Sequence, residues 1–310
     1  MGERVLLLGS TGFLGRAVGQ AISDRGHQLR VMVRNQARVP GWGSRPVEVR
    51  IGDALNLDSL QIACRDVDHV VSLVAVRRDH PQSLISVNAD GPRLLGEAAR
   101  LAGIKSVVLV SAVGASPTPR LRYLTSRWMG EQELRGSGVP TTVLRFSFIL
   151  GNDGGVLSDF ERAAKFGPIL VLPGGGQTRL QPIVREDAAK CIALAIGRED
   201  LFGSSLDLGG PEVMTYQTLF NIFTRARGIR KPQLSIPIPL LLLAAHVMEA
   251  VMPNPLVVPD ELRTLQTDNL GDGLDCIARD FGFRPLSPSL WAAEHWRPRP
   301  RAIAGARPRD

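Results

Sequence analysis

Seven residues near the start of the chain have the types and spacing of a phosphate-binding turn. The segment Gly9-Ser10-Thr11-Gly12-Phe13-Leu14-Gly15 directly follows a short apolar run. Gly9 permits a tight turn, Gly12 lets the backbone approach a pyrophosphate, and Gly15 allows close packing of helix on strand. The following helix would offer free N–H groups to the phosphates. The GxxGxxG spacing, one residue longer than GxGxxG, predicts a dinucleotide site; the alternative is a plain strand–helix turn.

The end of the second predicted strand indicates which dinucleotide would bind. An NAD site usually places Asp or Glu there, where the carboxylate bonds the ribose 2′-hydroxyl. This strand ends in Arg34 instead, and a guanidinium suits a 2′-phosphate. Arg16 and Arg38 could assist it. The sequence therefore favours NADP(H), with NAD(H) as the second choice, and the alternative is that Arg34 is a solvated loop cation.

Asp53 and Asn88 each have two interpretations. Asp53 follows the third predicted strand, so it could accept a hydrogen bond from the adenine amino group or cap the helix that begins near Asn56. Asn88 could join a hydrogen-bond network at the sheet edge or cap the helix that runs to Ala102, and a structural role is favoured in either case. Asp187 is expected in the first turn of a helix, where a negative charge is favourable.

Apolar runs that alternate with amphipathic stretches predict the elements that must position these residues. The fold class is α/β, a doubly wound parallel sheet (Rossmann) with a smaller, mainly helical C-terminal lobe. Strands are predicted at residues 5–9, 28–34, 47–51, 69–74, 106–111 and 141–146. Helices are predicted at 12–24, 57–64, 84–102, 123–135, 186–196, 215–227, 239–251 and 259–266.

The predicted organisation has three parts. Residues 1–150 form the NAD(P)-binding Rossmann core, and residues 151–296 form a C-terminal lobe interleaved with it, because glycine and proline cluster after Gly151. Residues 297–310 form a basic disordered tail rich in Pro, Arg and Ala.

Composition and charge exclude several classes of protein. The three cysteines and five histidines are scattered, so neither a disulfide framework nor a metal site is predicted. Much of the +7 net charge lies in the tail and no nucleic-acid-binding module is visible, so no nucleic-acid partner is expected. No signal peptide is expected, and the apolar run from Leu240 to Met252 is shorter than the roughly 20 residues of a membrane span. A cytoplasmic protein is expected, free or peripheral to the inner face of a membrane.

With these residues in place, the chain resembles the short-chain dehydrogenase/reductase superfamily in its atypical or extended branch. The resemblance covers nearly the whole chain and begins with the glycine turn. Later segments resemble the subgroup that contains the Rossmann-type accessory subunit of respiratory complex I and its bacterial relatives, in which bound NADPH is regarded as structural. The residues that carry the resemblance are Gly52-Asp53, Asn88, Ser111, 144–151, 181–189, 259–262 and 268–270.

The resemblance implies a site at the fifth strand and the helix that follows it. Catalytic members use Ser and then Tyr-x-x-x-Lys, which correspond here to Ser111, Tyr123 and Arg127. Tyr123 and Arg127 share a helix face at i and i+4, but arginine replaces the lysine, and this exchange is not conservative. Tyr123 and Arg127 could take part in catalysis, could bind the cofactor without turnover, or could be ordinary packing residues of the helix. Ala75, Ser111, Tyr123 and Arg127 complete the predicted cofactor contacts.

Three functions follow from the resemblance and the residues. The first is an accessory or assembly factor, linked to a respiratory or quinone-using complex, that holds NADP(H) structurally and docks through the region from Leu240 to Met252. Its partner would be a protein complex or a membrane surface, unless that region is core. The second is an NADPH-dependent reductase or epimerase that uses Tyr123 as the acid and Ser111 to orient the carbonyl. The third is an NADP(H)-sensing regulatory protein.

Overall fold

The computed structural model describes residues 2–35, 46–79, 82–118, 121–165, 167–251 and 257–297. Arg38, Met252 and residues 298–310, for which predictions were made above, lie outside these ranges. The strands are β1 (Arg4–Leu8), β2 (Gln28–Val33), β3 (Glu48–Ile51), β4 (His69–Ser72), β5 (Ser106–Ala112), β6 (Thr141–Phe146), β7 (Ile149–Leu150), β8 (Leu170–Pro173), β9 (Arg179–Leu180), β10 (Ile183–Val184), β11 (Ser205–Leu208), β12 (Met214–Thr215) and β13 (Gln233–Ile236). The helices are α1 (Gly15–Asp24), α2 (Leu57–Cys64), α3 (Gly91–Leu101), α4 (Arg122–Gly136), α5 (Val156–Lys165), α6 (Arg185–Ala195), α7 (Tyr216–Ala226), α8 (Ile238–Val251), α9 (Pro259–Thr264), α10 (Cys276–Phe281) and α11 (Pro288–His295).

Seven of these strands form one parallel sheet in the order β11-β6-β5-β4-β1-β2-β3. The order reverses between β1 and β4, which opens a crevice at the carboxyl ends of these two strands. In doubly wound sheets this switch point is where ligands bind. The predicted doubly wound Rossmann sheet is therefore confirmed.

Helices cover both faces of this sheet. On one face, α1, α6 and α10 pack over side chains such as Val5, Leu7 and Val108. On the other face, α2, α3 and α4 cover side chains such as Leu6 and Leu109. Because both faces are buried, the strands are continuous apolar runs.

The remaining elements form a smaller lobe with its own core. Phe160, Phe220, Phe223 and Trp296 pack there with their ring centroids 5.0–6.2 Å apart. The division at residue 150 and the interleaving of the two parts stay predictions. From the later stretch, β11 pairs with β6 at the edge of the sheet, and α6 packs on one face of the sheet.

Local sequence explains most element boundaries. The predicted range of α2 matches the structure, and Asn56 caps that helix by accepting a hydrogen bond from the Ser59 N–H at 2.8 Å. The predicted helix 84–102 differs, because it begins with a π-helical segment, Ser86–Asp90, before α3.

In the described residues, no helix is long and apolar enough to cross a membrane.

Candidate dinucleotide-binding site

The glycine turn joins β1 to α1 at the switch point of the sheet. Gly9 has a φ of +83°, and a Cβ there would lie 3.1 Å from the Leu73 carbonyl carbon. A Cβ at Gly15 would lie only 2.1 Å from the Ser10 carbonyl oxygen. The turn is closed by hydrogen bonds of 3.0 Å from Gly12 N to Gly9 O and from Gly15 N to Gly12 O. Both outer positions therefore require glycine, as the sequence predicts.

The amino terminus of α1 lies beside a buried hydroxyl without a partner. The N-cap residue Leu14 makes no capping hydrogen bond through a side chain, and the first turn carries no acidic residue. The Ser10 hydroxyl is buried with no hydrogen-bond partner. An orphaned hydroxyl at the positive end of a helix dipole suits a phosphate, so the residues of the turn fit a dinucleotide pyrophosphate.

The Phe13 side chain turns away from the crevice and into the lobe. Its ring fills a cradle of three glycines, Gly151, Gly154 and Gly155, where any Cβ would lie within 3.0 Å of the ring. The Arg185 guanidinium lies over the same ring, 5.3 Å from its centroid. Only the backbone of Phe13 is left to contact a phosphate, and its ring joins the turn to the lobe.

Arg34 lies directly after β2, where its side chain is exposed. It makes no hydrogen bond or ion pair within the parts of the chain that the structure describes. Arg16, in the first turn of α1, is also exposed. Arg34 therefore follows the carboxyl end of β2, and its predicted contact with a ribose 2′-substituent stays a prediction.

Asp53 lies in the turn between β3 and α2, and its Oδ1 accepts a hydrogen bond from the Leu55 N–H at 3.0 Å. The cap of α2 is Asn56, so the alternative in which Asp53 caps that helix is wrong. The other interpretation, a contact with adenine, stays a prediction.

Asn88 fixes the loop that follows β4. Its Oδ1 accepts from the Val76 N–H at 2.9 Å, and its Nδ2 donates to the Val76 carbonyl at 2.8 Å. The same Nδ2 donates to Ser126 of α4 at 2.9 Å. Asn88 is therefore structural, and it holds in place the loop that carries the exposed Ala75, a predicted cofactor contact.

Arg127 is buried beneath the carboxyl ends of β4 and β5. One terminal nitrogen donates to the Val110 carbonyl, the other to the Val74 carbonyl at 3.4 Å, and Nε is buried without a partner. Burial lowers the pKa of the guanidinium, although the nearby Tyr123 and Glu131 oppose the shift. No carboxylate in the described residues forms an ion pair with Arg127. A buried cation with an orphaned N–H fits a polar ligand that approaches from the crevice.

Ser111 is bound to a different group from the one that the resemblance implies. Its hydroxyl donates to the fully buried Glu131 carboxylate at 2.5 Å. Arg145 of β6 binds the same carboxylate, at 2.9 Å from Nε and 2.5 Å from Nη2, and lies 3.6 Å from Asp207. Glu131 lies eight residues beyond Tyr123, about 12 Å along the axis of α4. The structure therefore gives the Ser111 hydroxyl a partner at Glu131, one helical turn beyond Arg127, and the predicted roles of Ser111, Tyr123 and Arg127 stay predictions.

Tyr123 begins α4 at the boundary between core and lobe. Its backbone N–H donates to Asp260 of α9 at 2.9 Å, and the Arg122 N–H donates to the same carboxylate at 3.0 Å. The half-buried Tyr123 hydroxyl has no hydrogen-bond partner in the described part of the chain. Asp260 thus caps α4 from the lobe and positions Tyr123.

Neither Glu131 nor Asp260 was predicted to belong to this site. Glu131 continues the four-residue spacing of Tyr123 and Arg127 on α4, so helical periodicity could have revealed it. Asp260 lies 137 residues from Tyr123, and no local pattern could have joined them. In the described residues, no group of three or more potential ligands could hold a metal ion.

Comparisons with known proteins agree with this geometry. Residues 9–196 match a family of NAD(P)H-binding proteins. A ceramide reductase from Caulobacter vibrioides is 30% identical over 79% of this chain and 77% of its own. Subunit 9 of the NADH dehydrogenase 1 alpha subcomplex from Arabidopsis thaliana is 26% identical over 85% of this chain and 70% of its own.

A solved structure shows how closely the fold is shared. The NADPH complex of an NADPH-dependent quinone oxidoreductase from Escherichia coli has a TM-score of 0.73 and 19% identity, covering 94% of this chain and 98% of its own. At this identity the likeness shows the fold alone. The glycine turn, the sheet order and the family match agree, and the chain belongs to the NAD(P)H-binding family.

Proposed function

We propose that the protein holds NADP(H) as a resident, structural cofactor and acts as an accessory or assembly factor for a respiratory or quinone-using complex. The observation that carries this proposal is the Arg127 guanidinium, which is buried without a carboxylate partner and with an unpaired Nε. Such a group destabilises an empty protein. A ligand that binds only the native state stabilises that state, by about 2.7 kcal/mol when the free ligand concentration is one hundred times Kd.

The arrangement around Arg127 supports binding more than turnover. Proton transfer from a tyrosine needs a partner that lowers its pKa and a second donor that orients the substrate carbonyl. The Ser111 hydroxyl is already bound to Glu131, and Arg127 donates to two backbone carbonyls. Binding the cofactor would use Arg127, Ser10 and the amino terminus of α1, and none of these contacts needs a reaction.

The names of two relatives support an accessory role. One is the NADH dehydrogenase subunit already described. The other is a photosystem II assembly factor of Guillardia theta, 24% identical over 78% of this chain and 76% of its own. The proposed docking surface for such a partner is α8, which would place the protein at the inner face of a membrane or on a protein complex.

Arg34 supports a preference for NADP(H), and an Arg34→Glu variant tests it. We expect NADPH affinity to fall roughly thirtyfold, because a charge-assisted hydrogen bond contributes about 2 kcal/mol, while NADH affinity is retained or rises. The measurement is titration of each nucleotide, after mass spectrometry has identified the nucleotide that copurifies. Arg100→Glu, which changes an exposed arginine on α3, is the matched control. Equal loss of both nucleotides, or no change in either, would contradict the preference.

A second candidate function is an NADPH-dependent reductase, favoured by the unpartnered Tyr123 hydroxyl and by the name of the ceramide reductase relative. The bound cofactor would supply a hydride. Tyr123 would hold a proton at its phenolic oxygen for transfer to a carbonyl oxygen, and Arg127 would stabilise the phenolate that remains. The discriminating experiment is carbonyl reduction with the unmodified protein and with Tyr123→Phe, since only a reductase would lose activity in the variant.

A further inference from the structure

One face of α8 is apolar and uncovered. Leu240, Leu243, Val247 and Val251 follow a helical spacing of three and four residues, and their exposed fractions are 61%, 67%, 56% and 71%. Ala245 is the one residue of α8 with a described side chain that is buried. A helix that is apolar on nearly all sides normally lies in a protein core or in lipid. We therefore expect a partner surface to bury the exposed face of α8.

The exposed surface continues from α8 onto the small sheet beside it. Val171 of β8 and Leu234 of β13 are register partners, and both are exposed, as is Ile169 just before β8. The end of β8 adjoins the start of α8, because a Cβ at Gly174 would lie 3.1 Å from Ile238. These three residues and the four on α8 are called the apolar patch below. They are seven of the fifteen exposed large apolar residues in the described parts of the chain.

The segment that leads into the apolar patch is basic, although α8 itself carries the exposed Glu249 between Val247 and Val251. Residues 213–248 contain Arg225, Arg227, Arg230 and Lys231 and no Asp or Glu. Arg225 and Arg230 are exposed. Lys231 donates to the carbonyls of Ala164 and Gly167, which places this basic segment beside the start of β8. An apolar surface next to exposed cations is complementary to an anionic bilayer.

We propose that the apolar patch seats the protein peripherally on an anionic lipid bilayer. α8 has 14 residues and is about 21 Å long, against a hydrocarbon core of about 30 Å. It would therefore lie in the interface, with its leucine and valine side chains among the acyl chains and Arg225 and Arg230 near the headgroups. This inference rests on the docking surface of the proposed function and is independent of whether the cofactor reacts.

Vesicle binding tests the proposal on the full chain. The probes are phosphatidylcholine vesicles with and without about 30% phosphatidylglycerol, at low and high salt. We expect binding to the anionic vesicles, weaker by roughly thirtyfold without the anionic lipid, because each of two exposed cations contributes about 1 kcal/mol. Leu243→Gln with Val247→Gln should weaken binding by at least about tenfold. Arg230→Gln should weaken it by about fivefold.

A matched pair of substitutions controls for the loss of exposed leucine or valine in general. Leu101 on α3 and Leu290 on α11 are 58% and 72% exposed and lie outside the apolar patch. Leu101→Gln with Leu290→Gln should bind vesicles as the unmodified protein does. The proposal is overturned if the unmodified protein binds neither kind of vesicle. It is also overturned if the patch double variant and the control double variant bind vesicles equally well. A dimer that Leu243→Gln dissociates, without vesicle binding, would assign the patch to a second copy of the chain.

NADPH titration of each variant separates this proposal from the proposed function. The protein with Leu243→Gln and Val247→Gln is expected to bind NADPH as before but to lose vesicle binding. Absence of NADPH binding in the unmodified protein, together with intact vesicle binding, would overturn the proposed function and leave the lipid surface in place.

Discussion

Glu131→Ala is expected to lower the free energy of unfolding by about 3 kcal/mol, since it leaves a buried charge without its partner. Glu131 is fully buried and accepts hydrogen bonds from Ser111 and from two nitrogens of Arg145. Its removal leaves the Arg145 guanidinium and the Ser111 hydroxyl without their hydrogen-bond acceptor. Asp207, 3.6 Å from Arg145, would replace the lost charge interaction only in part. Urea unfolding followed by circular dichroism measures the change.

Glu133→Ala is the matched control, because it removes an exposed carboxylate from the same helix and should change stability by less than about 0.5 kcal/mol. Glu131→Ala combined with Arg145→Ala should be destabilised by less than the sum of the two single variants, because the residues form one network. Additive effects, or a Glu131 variant as stable as the Glu133 variant, would show that the buried network contributes little.

Arg127→Met is expected to change stability and cofactor affinity in opposite directions. Replacing a buried ionic group by an apolar one of similar volume often stabilises a protein by about 1–4 kcal/mol, so the empty variant should be at least as stable as the unmodified protein. Its NADPH affinity should fall by roughly a hundredfold, because hydrogen bonds to a charged group contribute up to about 3 kcal/mol. Thermal unfolding with and without NADPH measures both changes.

Arg135→Met is the control for this substitution, because Arg135 lies two turns further along α4 and donates to Ser205 at 2.7 Å, away from the crevice. It should leave NADPH affinity unchanged. An Arg127 variant that binds NADPH as tightly as the unmodified protein would remove Arg127 from the cofactor site. One that is strongly destabilised when empty would instead make Arg127 a structural residue of the core.

The sequence predicted the parts of the site that depend on local rules. The glycine turn needs a positive φ at Gly9 and no side chain at Gly15, and both requirements follow from spacing. The pairing of Tyr123 with Arg127 follows from helical periodicity. Six strands of the parallel sheet and its flanking helices follow from apolar runs, whereas the edge strand β11, which is only half apolar, was not predicted.

The parts that could not be predicted depend on contacts between distant segments. Ser111 alternates with Val110 in β5 and so lies on the face that α4 covers. Only the packing of α4 against the sheet decides that the Ser111 hydroxyl donates a hydrogen bond to Glu131, twenty residues later. In the same way, the capping of α4 by Asp260 depends on how the lobe closes over the core. The four-residue spacing places Glu131 on the same face of α4 as Tyr123 and Arg127, but it does not show which strand that face meets.

Single-turnover oxidation of the bound nucleotide tests the central claim, that NADPH is held and not consumed. Protein loaded with NADPH would be offered quinones and small and lipid carbonyl compounds, with nicotinamide absorbance and fluorescence followed over time. Tyr123→Phe and Arg127→Lys would be measured beside it. The structural account predicts that the cofactor stays reduced with every compound and that Arg127→Lys behaves as the unmodified protein does. Oxidation that disappears in Tyr123→Phe and becomes faster in Arg127→Lys would contradict it and establish a reductase.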